Sequence, residues 1–311
     1  MNAQLAELIT IFINNIAPIL IVAGVGYWTG RQLNINGDSL GKLIFNVFSP
    51  ALVFHLLSTS AIDGQEFSAI LIATILFQLI MAAIASTITR YSSSDRIHRA
   101  SVTLSAFCLN AGNYGLSLVL FAFGEEILAR AVVVFIANVM LNNTLGVYIA
   151  SSGRRPPLAA AKSILKVPAV YATLLAFIVK GLNITVPLPL SRSVELMGNA
   201  AIPAMLILLG LQLRQTTSLA YPKLIGLSVV LKLLVAPVIA ISLAILLGLN
   251  NFAAVAFIVQ AATPTAVITI VLAGEFELDT NLTSAIILVT TLFSPISLSI
   301  IILLLQQTLL V

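Results

Sequence analysis

Apolar residues in this chain come in blocks of about twenty, separated by short polar stretches, with neither strand alternation nor the stripe of a half-buried helix. A bilayer core of about 30 Å asks for about 20 apolar residues at a rise of ~1.5 Å each. That ruler predicts spans near 8–30, 38–58, 66–89, 100–124, 127–150, 164–181, 190–213, 223–248, 251–274 and 281–308. The first cation is Arg31, so the first apolar run has no positive region before it. It therefore reads as a helix that stays rather than as a cleavable signal. The longest polar stretches are 90–99 (RYSSSDRIHR) and 151–166 (SSGRRPPLAAAKSILK).

Composition agrees with lipid as the solvent. Hydrophobic residues are 59% of 311 and charged residues 8%, where a soluble domain carries roughly 25% charge to cover its surface. The net charge of +4 comes from 15 Lys and Arg with no basic stripe, which argues against nucleic acid. Their placement is more informative. Arg31, Lys42, Arg90, Arg96, Arg99, Arg154, Arg155, Lys162, Lys166, Arg214 and Lys223 fall on one side of the predicted topology. Arg130, Lys180 and Arg192 fall on the other. By the positive-inside rule the first side is cytoplasmic and both termini face outside, in a cell (inner or plasma) membrane. The lone Cys108 and the two separated histidines, His55 and His98, offer no metal-ligand set. No GxxxxGK[ST] motif is present for nucleotide hydrolysis.

The two halves echo each other about 150 residues apart. Ala17-Pro18 and Leu33-Asn34-Ile35 match Val167-Pro168 and Leu182-Asn183-Ile184. Pro50-Ala51-Leu52 matches Pro203-Ala204-Met205. Asn110 to Gly115, followed by Gly124-Glu125, matches Gln260 to Thr265, followed by Gly274-Glu275. Five spans per half is an odd number, so the second half enters the membrane upside down. Such inverted repeats underlie many secondary transporters, with the site at mid-membrane where a helix of each half breaks.

Two segments carry that signature. Asn110, Gly112, Asn113, Tyr114 and Gly115 lie at the middle of the fourth span, where unpaired amides are costly. Gln260, Thr263, Pro264 and Thr265 lie at the middle of the ninth, and Pro264 cannot donate to a helix ladder. The bland alternative is that small and polar residues here only permit tight helix packing. Lys232 lies inside the eighth span, where a charge costs on the order of 2.5–3.5 kcal/mol. It could neutralise a substrate carboxylate or couple to a proton. The competing reading has it snorkelling to the interface or pairing with Glu195.

The strings SPALVFHLL, LNAGNYGLSLVLFAFGEE, AAIPAMLILLGLQL and AATPTAVITIVLAGEFELD, with TSAIILVTTLFSP after them, resemble the auxin efflux carrier family. Its plant members export auxin, and bacterial members bear the names of malate or malonate permeases. The resemblance spans about Leu8 to Leu305. It implies ten helices with the fourth and ninth broken and crossing, helices one, two, six and seven as scaffold, the rest moving elevator-like, and an organic anion at the crossover. Asn110, Gly115 and Pro264 match the family's motif positions. Two departures stand out. Where the family has Gly-x-Pro-Leu this chain has Gly115-Leu116-Ser117-Leu118, which predicts a weaker break. Ile268 stands where bacterial relatives carry Asn.

The sequence thus predicts an all-α polytopic membrane protein of ten transmembrane helices, arranged as two inverted five-helix repeats with broken crossover helices four and nine. The first repeat is 1–150, a cytoplasmic linker 151–163, and the second repeat 164–311. The expected function is a secondary transporter for a small organic anion such as a carboxylate, not an enzyme, with no cofactor and no metal. Its predicted partners are the anion and the lipid bilayer, with a homodimer as a candidate assembly. Asn110, Asn113, Tyr114, Gly115, Gln260, Thr263, Pro264, Thr265 and Lys232 are the candidate substrate-binding residues. A sodium-coupled organic-anion symporter of the bile-acid symporter type, or a channel, are the alternatives.

Overall fold

The structure is a computed structural model that describes residues 2–33, 35, 37–93, 95–151, 167–213 and 219–309. Helices account for most of it, and no strand occurs among the described residues. We number them α1 (Gln4–Leu33), α2 (Gly37–Thr59), α3 (Gly64–Ser92), α4 (Arg96–Phe107), α5 (Ala111–Phe123), α6 (Glu125–Ala150), α7 (Pro168–Gly181), α8 (Leu188–Leu213), α9 (Pro222–Leu246), α10 (Asn251–Ala261), α11 (Ile268–Glu275) and α12 (Thr280–Thr308). Among the described residues seven of these, α1, α2, α3, α6, α8, α9 and α12, are long and apolar enough to cross a membrane. Where the other three spans are expected, shorter helices lie instead: α4 and α5, α7, and α10 and α11. The linker expected at 151–163 lies, apart from Ser151, outside the described residues, as do the cations Arg154, Arg155, Lys162, Lys166 and Arg214.

Three prolines inside the long helices are absorbed in one way, whereas Pro295 sits in α12 without a π turn before it. A wide π turn covers Phe12–Ile16, Ile44–Phe48 and Leu231–Val235, and each ends two residues before a proline: Pro18, Pro50 and Pro237. A proline ring clashes with the carbonyl four residues back and has no N–H to offer it. Widening the preceding turn removes the clash without opening the helix to lipid.

The strongest packing falls into two groups. In one, α1 lies along α8, and α2 packs on α7 and α8. In the other, α3 packs on α4 and α6, α6 and α9 on α10, and α12 on α9 and α11. Backbone-to-backbone contact holds the first group. A Cβ on Gly210 would lie 2.6 Å from the Tyr27 nitrogen, and one on Gly26 would lie 2.9 Å from the Ile207 carbonyl carbon. Only glycine permits that approach, and in lipid close packing replaces the hydrophobic effect as the attraction between helices.

Polar contacts tie the two ends of the bundle. At one end Arg130 Nε donates to Glu66 Oε1 at 2.6 Å, and Asn250 Nδ2 to the same oxygen at 2.8 Å. Lys180 Nζ there donates to the Ser60 carbonyl at 3.0 Å and to the Ile62 carbonyl. At the other end the His98 ring lies 3.2 Å from Asp279, 3.4 Å from Asp95 and against the Tyr221 ring.

Candidate functional site

Two interrupted helices meet at the centre of the second group. The α4 segment, capped by the Asp95 carboxylate on the Ile97 N–H, runs to Phe107 and stops. Cys108 to Asn110 are extended or irregular, and the chain resumes at Ala111 with a π turn leading into the rest of α5. The α10 segment, capped by the Asn250 side chain on the Ala253 N–H at 2.8 Å, ends at Ala261. Residues 262–267 are not helical, and α11 begins at Ile268.

The two gaps cross as a single antiparallel bridge pairing Leu109 with Thr265. Asn110 N–H donates to the Pro264 carbonyl at 3.1 Å, and Ala266 N–H to the Cys108 carbonyl at 3.3 Å. Leu109 itself faces away from that pair, and Asn138 of α6 takes both its groups. The Leu109 N–H donates to Asn138 Oδ1 at 3.3 Å, and Asn138 Nδ2 donates to the Leu109 carbonyl at 3.1 Å. On the opposite side the Thr265 N–H donates to Thr290 Oγ1 at 3.3 Å. Non-helical backbone survives at this depth where its freed groups find such partners or line a cavity. The interruption between α4 and α5 needs no proline. The weaker break expected from Leu116 and Ser117 is therefore not what forms: the chain opens upstream, at Cys108–Asn110, where Asn138 and the crossing strand replace the lost helical bonds.

A cavity of about 510 Å³ opens beside the crossing, on the face toward α2 and α8. Its wall includes Asn110, Gly112 and Asn113 at the start of α5, and Ala266, Val267 and Ile268 at the start of α11. Asn138, Asn142 and Asn143 of α6, Asp38, Lys42, Asn46 and Ser49 of α2, and Gln212 of α8 are the other polar residues of the lining. Three buried polar atoms on this wall have no hydrogen-bond partner: Asn110 Nδ2, Asn142 Oδ1 and Gln212 Oε1. Leaving each unmade costs roughly 1–3 kcal/mol. Two helix N-termini also end here, and the first-turn N–H groups of a helix have no intrahelical acceptor. Their dipoles place partial positive charge at the cavity from two directions. An anion would accept hydrogen bonds from Asn110 Nδ2 and from the first-turn N–H groups. The Asn142 and Gln212 oxygens are acceptors that call for a donor, such as water or a protonated carboxyl. Lys42 lines the cavity as a cation, with Asp38 one turn before it.

The nine sequence-predicted site residues divide. Asn110 and Asn113 line the cavity; Tyr114, Gly115, Gln260, Thr263, Pro264 and Thr265 do not, and sit within or behind the crossing. There Gly115 packs against the Gln260 side chain, with Thr263 Cγ2 at 3.1 Å from where its Cβ would be. The Tyr114 hydroxyl accepts from Ser294 Oγ at 3.3 Å, and Thr265 Oγ1 donates to the Ser105 carbonyl at 3.0 Å. Lys232 is fully buried, reaches the Ala106 carbonyl at 3.4 Å, and does not line the cavity. It neither snorkels nor pairs with Glu195, which is exposed.

Sequence reasoning missed Asn138, Asn142 and Gln212. The signal was present: Asn138 and Asn142 are spaced i, i+4 on one face of an apolar helix, the same anomaly that singled out Asn110.

Residues 11–302 match the family model described as membrane transport protein. An uncharacterized transporter of Methanocaldococcus jannaschii is 25% identical over 291 residues, covering 89% of this chain and 93% of that protein. An uncharacterized transporter of Methanothermobacter thermautotrophicus is 25% identical over 294 residues, covering 91% and 95%. A provisionally named malonate transporter of Rhizobium meliloti is 26% identical over 294 residues, covering 90% and 91%.

Proposed function

This chain belongs to the membrane transport protein family, the auxin efflux carrier family of the sequence resemblance, and is an integral membrane protein; on that premise we propose that it is a secondary carrier for a small dicarboxylate such as malonate. The observation that carries the reading is the cavity at the crossing. Two half-helix N-termini and the unpartnered buried Asn110 Nδ2 donor converge on it, and among the described residues Asp38 is the one carboxylate in its wall. The name of the Rhizobium relative agrees with an anion of this kind.

The proposed topology has ten crossings, α4 with α5 and α10 with α11 each counting as one broken crossing. Its two inverted repeats are 1–150 and 164–311, joined by the cytoplasmic segment 151–163, with both termini outside the cytoplasm. The cavity then opens toward the cytoplasm, because Lys42 and Gln212 lie on the same side as Arg90 and Arg99. In this reading α1, α2, α7 and α8 form a static frame, and the remaining helices carry the site past it. The two packing groups support that division. Asn110 and Asn113 orient the carboxylates, the α5 and α11 N-termini compensate their charge, and Gln212 contributes from the frame. Tyr114, Gly115, Gln260, Thr263, Pro264 and Thr265 hold the crossing that sets this geometry.

The test is uptake of labelled malonate, malate and indole-3-acetate into proteoliposomes, with Asn110→Ala beside the parent. Saturable malonate uptake reduced at least about tenfold in the variant is the expected result, in line with losing one hydrogen bond to a charged group. Uptake unchanged by the substitution would remove the site from the crossing, and a parent that moves none of the three would remove the dicarboxylate.

A further inference from the structure

The C-terminal end of α4 is a carbonyl cluster in the middle of the protein, and it is fully occupied. A helix leaves its last carbonyls without helical donors. The Leu104 carbonyl accepts from Cys108 N–H at 3.0 Å, which continues the ladder by one residue. Side chains from three other segments take the rest. Thr265 Oγ1 donates to Ser105 at 3.0 Å, Lys232 Nζ to Ala106 at 3.4 Å, and Gln78 Nε2 to Phe107 at 3.0 Å. Only one of these donors is a cation. Among the described residues no carboxylate pairs with Lys232. The partial negative charge of the α4 C-terminus is therefore what faces its ammonium.

In carriers built on discontinuous helices, the half-helix C-termini and unwound carbonyls are where a coupling cation binds. We propose that Lys232 is a tethered cation occupying that position: its ammonium takes the place of an external monovalent ion, so the crossover binds no sodium and transport needs none. This deepens the carrier reading above and rests on it for the statement about coupling. The geometry explains why a charge is tolerated so deep. Lys232 sits on the π turn Leu231–Val235 ahead of Pro237, which displaces the helix locally and turns the side chain inward toward α4. Position 232 is thereby a determinant of ion dependence rather than of substrate contact, which fits its absence from the cavity wall.

The experiment uses the purified full chain and needs no substrate. Cys108 is the single cysteine, buried at the crossover, so a thiol-reactive dye reports unfolding there. Thermal midpoints are compared in sodium, methylammonium and choline chloride at equal ionic strength. The parent and Lys232→Arg should be indifferent to the salt. Lys232→Met should fall by roughly 5 °C in choline and recover at least half of that in sodium or methylammonium, which can refill the vacated position. Gln78→Met, which removes a neutral donor from the same helix end, should fall without any salt-specific recovery. A parent stabilised by sodium over choline would overturn the proposal, as would a Lys232→Met protein whose salt response matches that of Gln78→Met. Should Lys232→Met not fold in choline, recovery of folded protein in sodium supports the proposal. Failure of both Lys232→Met and Lys232→Arg in every salt counts against it. In the flux arm, parent malonate uptake should be equal in sodium and choline. Sodium-dependent malonate uptake by the parent would overturn the inference, and if the parent moves no malonate the thermal comparison alone decides it.

Discussion

Asn138→Ala removes the residue that does most to hold the crossing open. Its amide makes three buried hydrogen bonds, two to Leu109 and one from Gln78 Nε2 at 3.1 Å. After truncation the Leu109 N–H and carbonyl lose their partner, at roughly 1–3 kcal/mol each. Measured interhelical bonds in membrane proteins average only about 0.6 kcal/mol, so three of them set a floor near ~2 kcal/mol. Asn138 also lines the cavity, which lets water reach part of the vacated space and holds the cost to the lower half of the range. The expected loss is about 2–4 kcal/mol. With an unfolding entropy of about 2.1 cal/mol/K per residue over 311 residues, that lowers the thermal midpoint by ~3–6 °C. Ser242→Ala is the control, since Ser242 is exposed and its hydroxyl only returns to the Val238 carbonyl one turn back. Thermal unfolding of the two variants beside the parent, at one fixed scan rate, reads the difference. A fall for Asn138→Ala no larger than for Ser242→Ala would refute the argument that this amide substitutes for helix at the crossing.

Other substitutions probe the frame and the ends. Gly210→Ala should lower the midpoint by several degrees, because its Cβ would drive α8 off the α1 backbone, whereas Gly24→Ala, with nothing within 4 Å, should be neutral or stabilising by up to ~1 kcal/mol. Glu66→Ala leaves the nearly buried Arg130 with the Glu126 carbonyl at 2.8 Å and the Glu126 carboxylate at 3.9 Å. These contacts and the partial exposure of Glu66 put the cost at or below the lower end of the roughly 3–5 kcal/mol for a broken buried pair, measurable as a midpoint shift that 1 M salt does not reproduce in the parent. Gly115→Ala should reduce malonate uptake more than it reduces folded yield, since its Cβ would displace the Gln260 side chain and shift the α5 N-terminus that faces the cavity.

The sequence by itself determined the solvent, the helical class and the places where helices should fail. Blocks of apolar residues report lipid exposure one position at a time, and amides or a proline at mid-span are costly wherever the chain goes next. That is why Asn110, Asn113 and Pro264 were legible without coordinates, and why residues 11–302 match a transporter family. Lys232 was legible as an anomaly but not as a partner of Ala106, which lies 126 positions away. Only the tertiary structure decided that Leu109 pairs with Thr265, that Asn138 takes both backbone groups of Leu109, and that Asn142 and Gln212 share a cavity wall with Asn110. It also showed that the first interruption, at Cys108–Asn110, forms without a proline. The physical reason is common to all of these. Cost is a local property of a residue in lipid, while satisfaction of a freed N–H or carbonyl depends on which distant segment the fold brings within 3.5 Å.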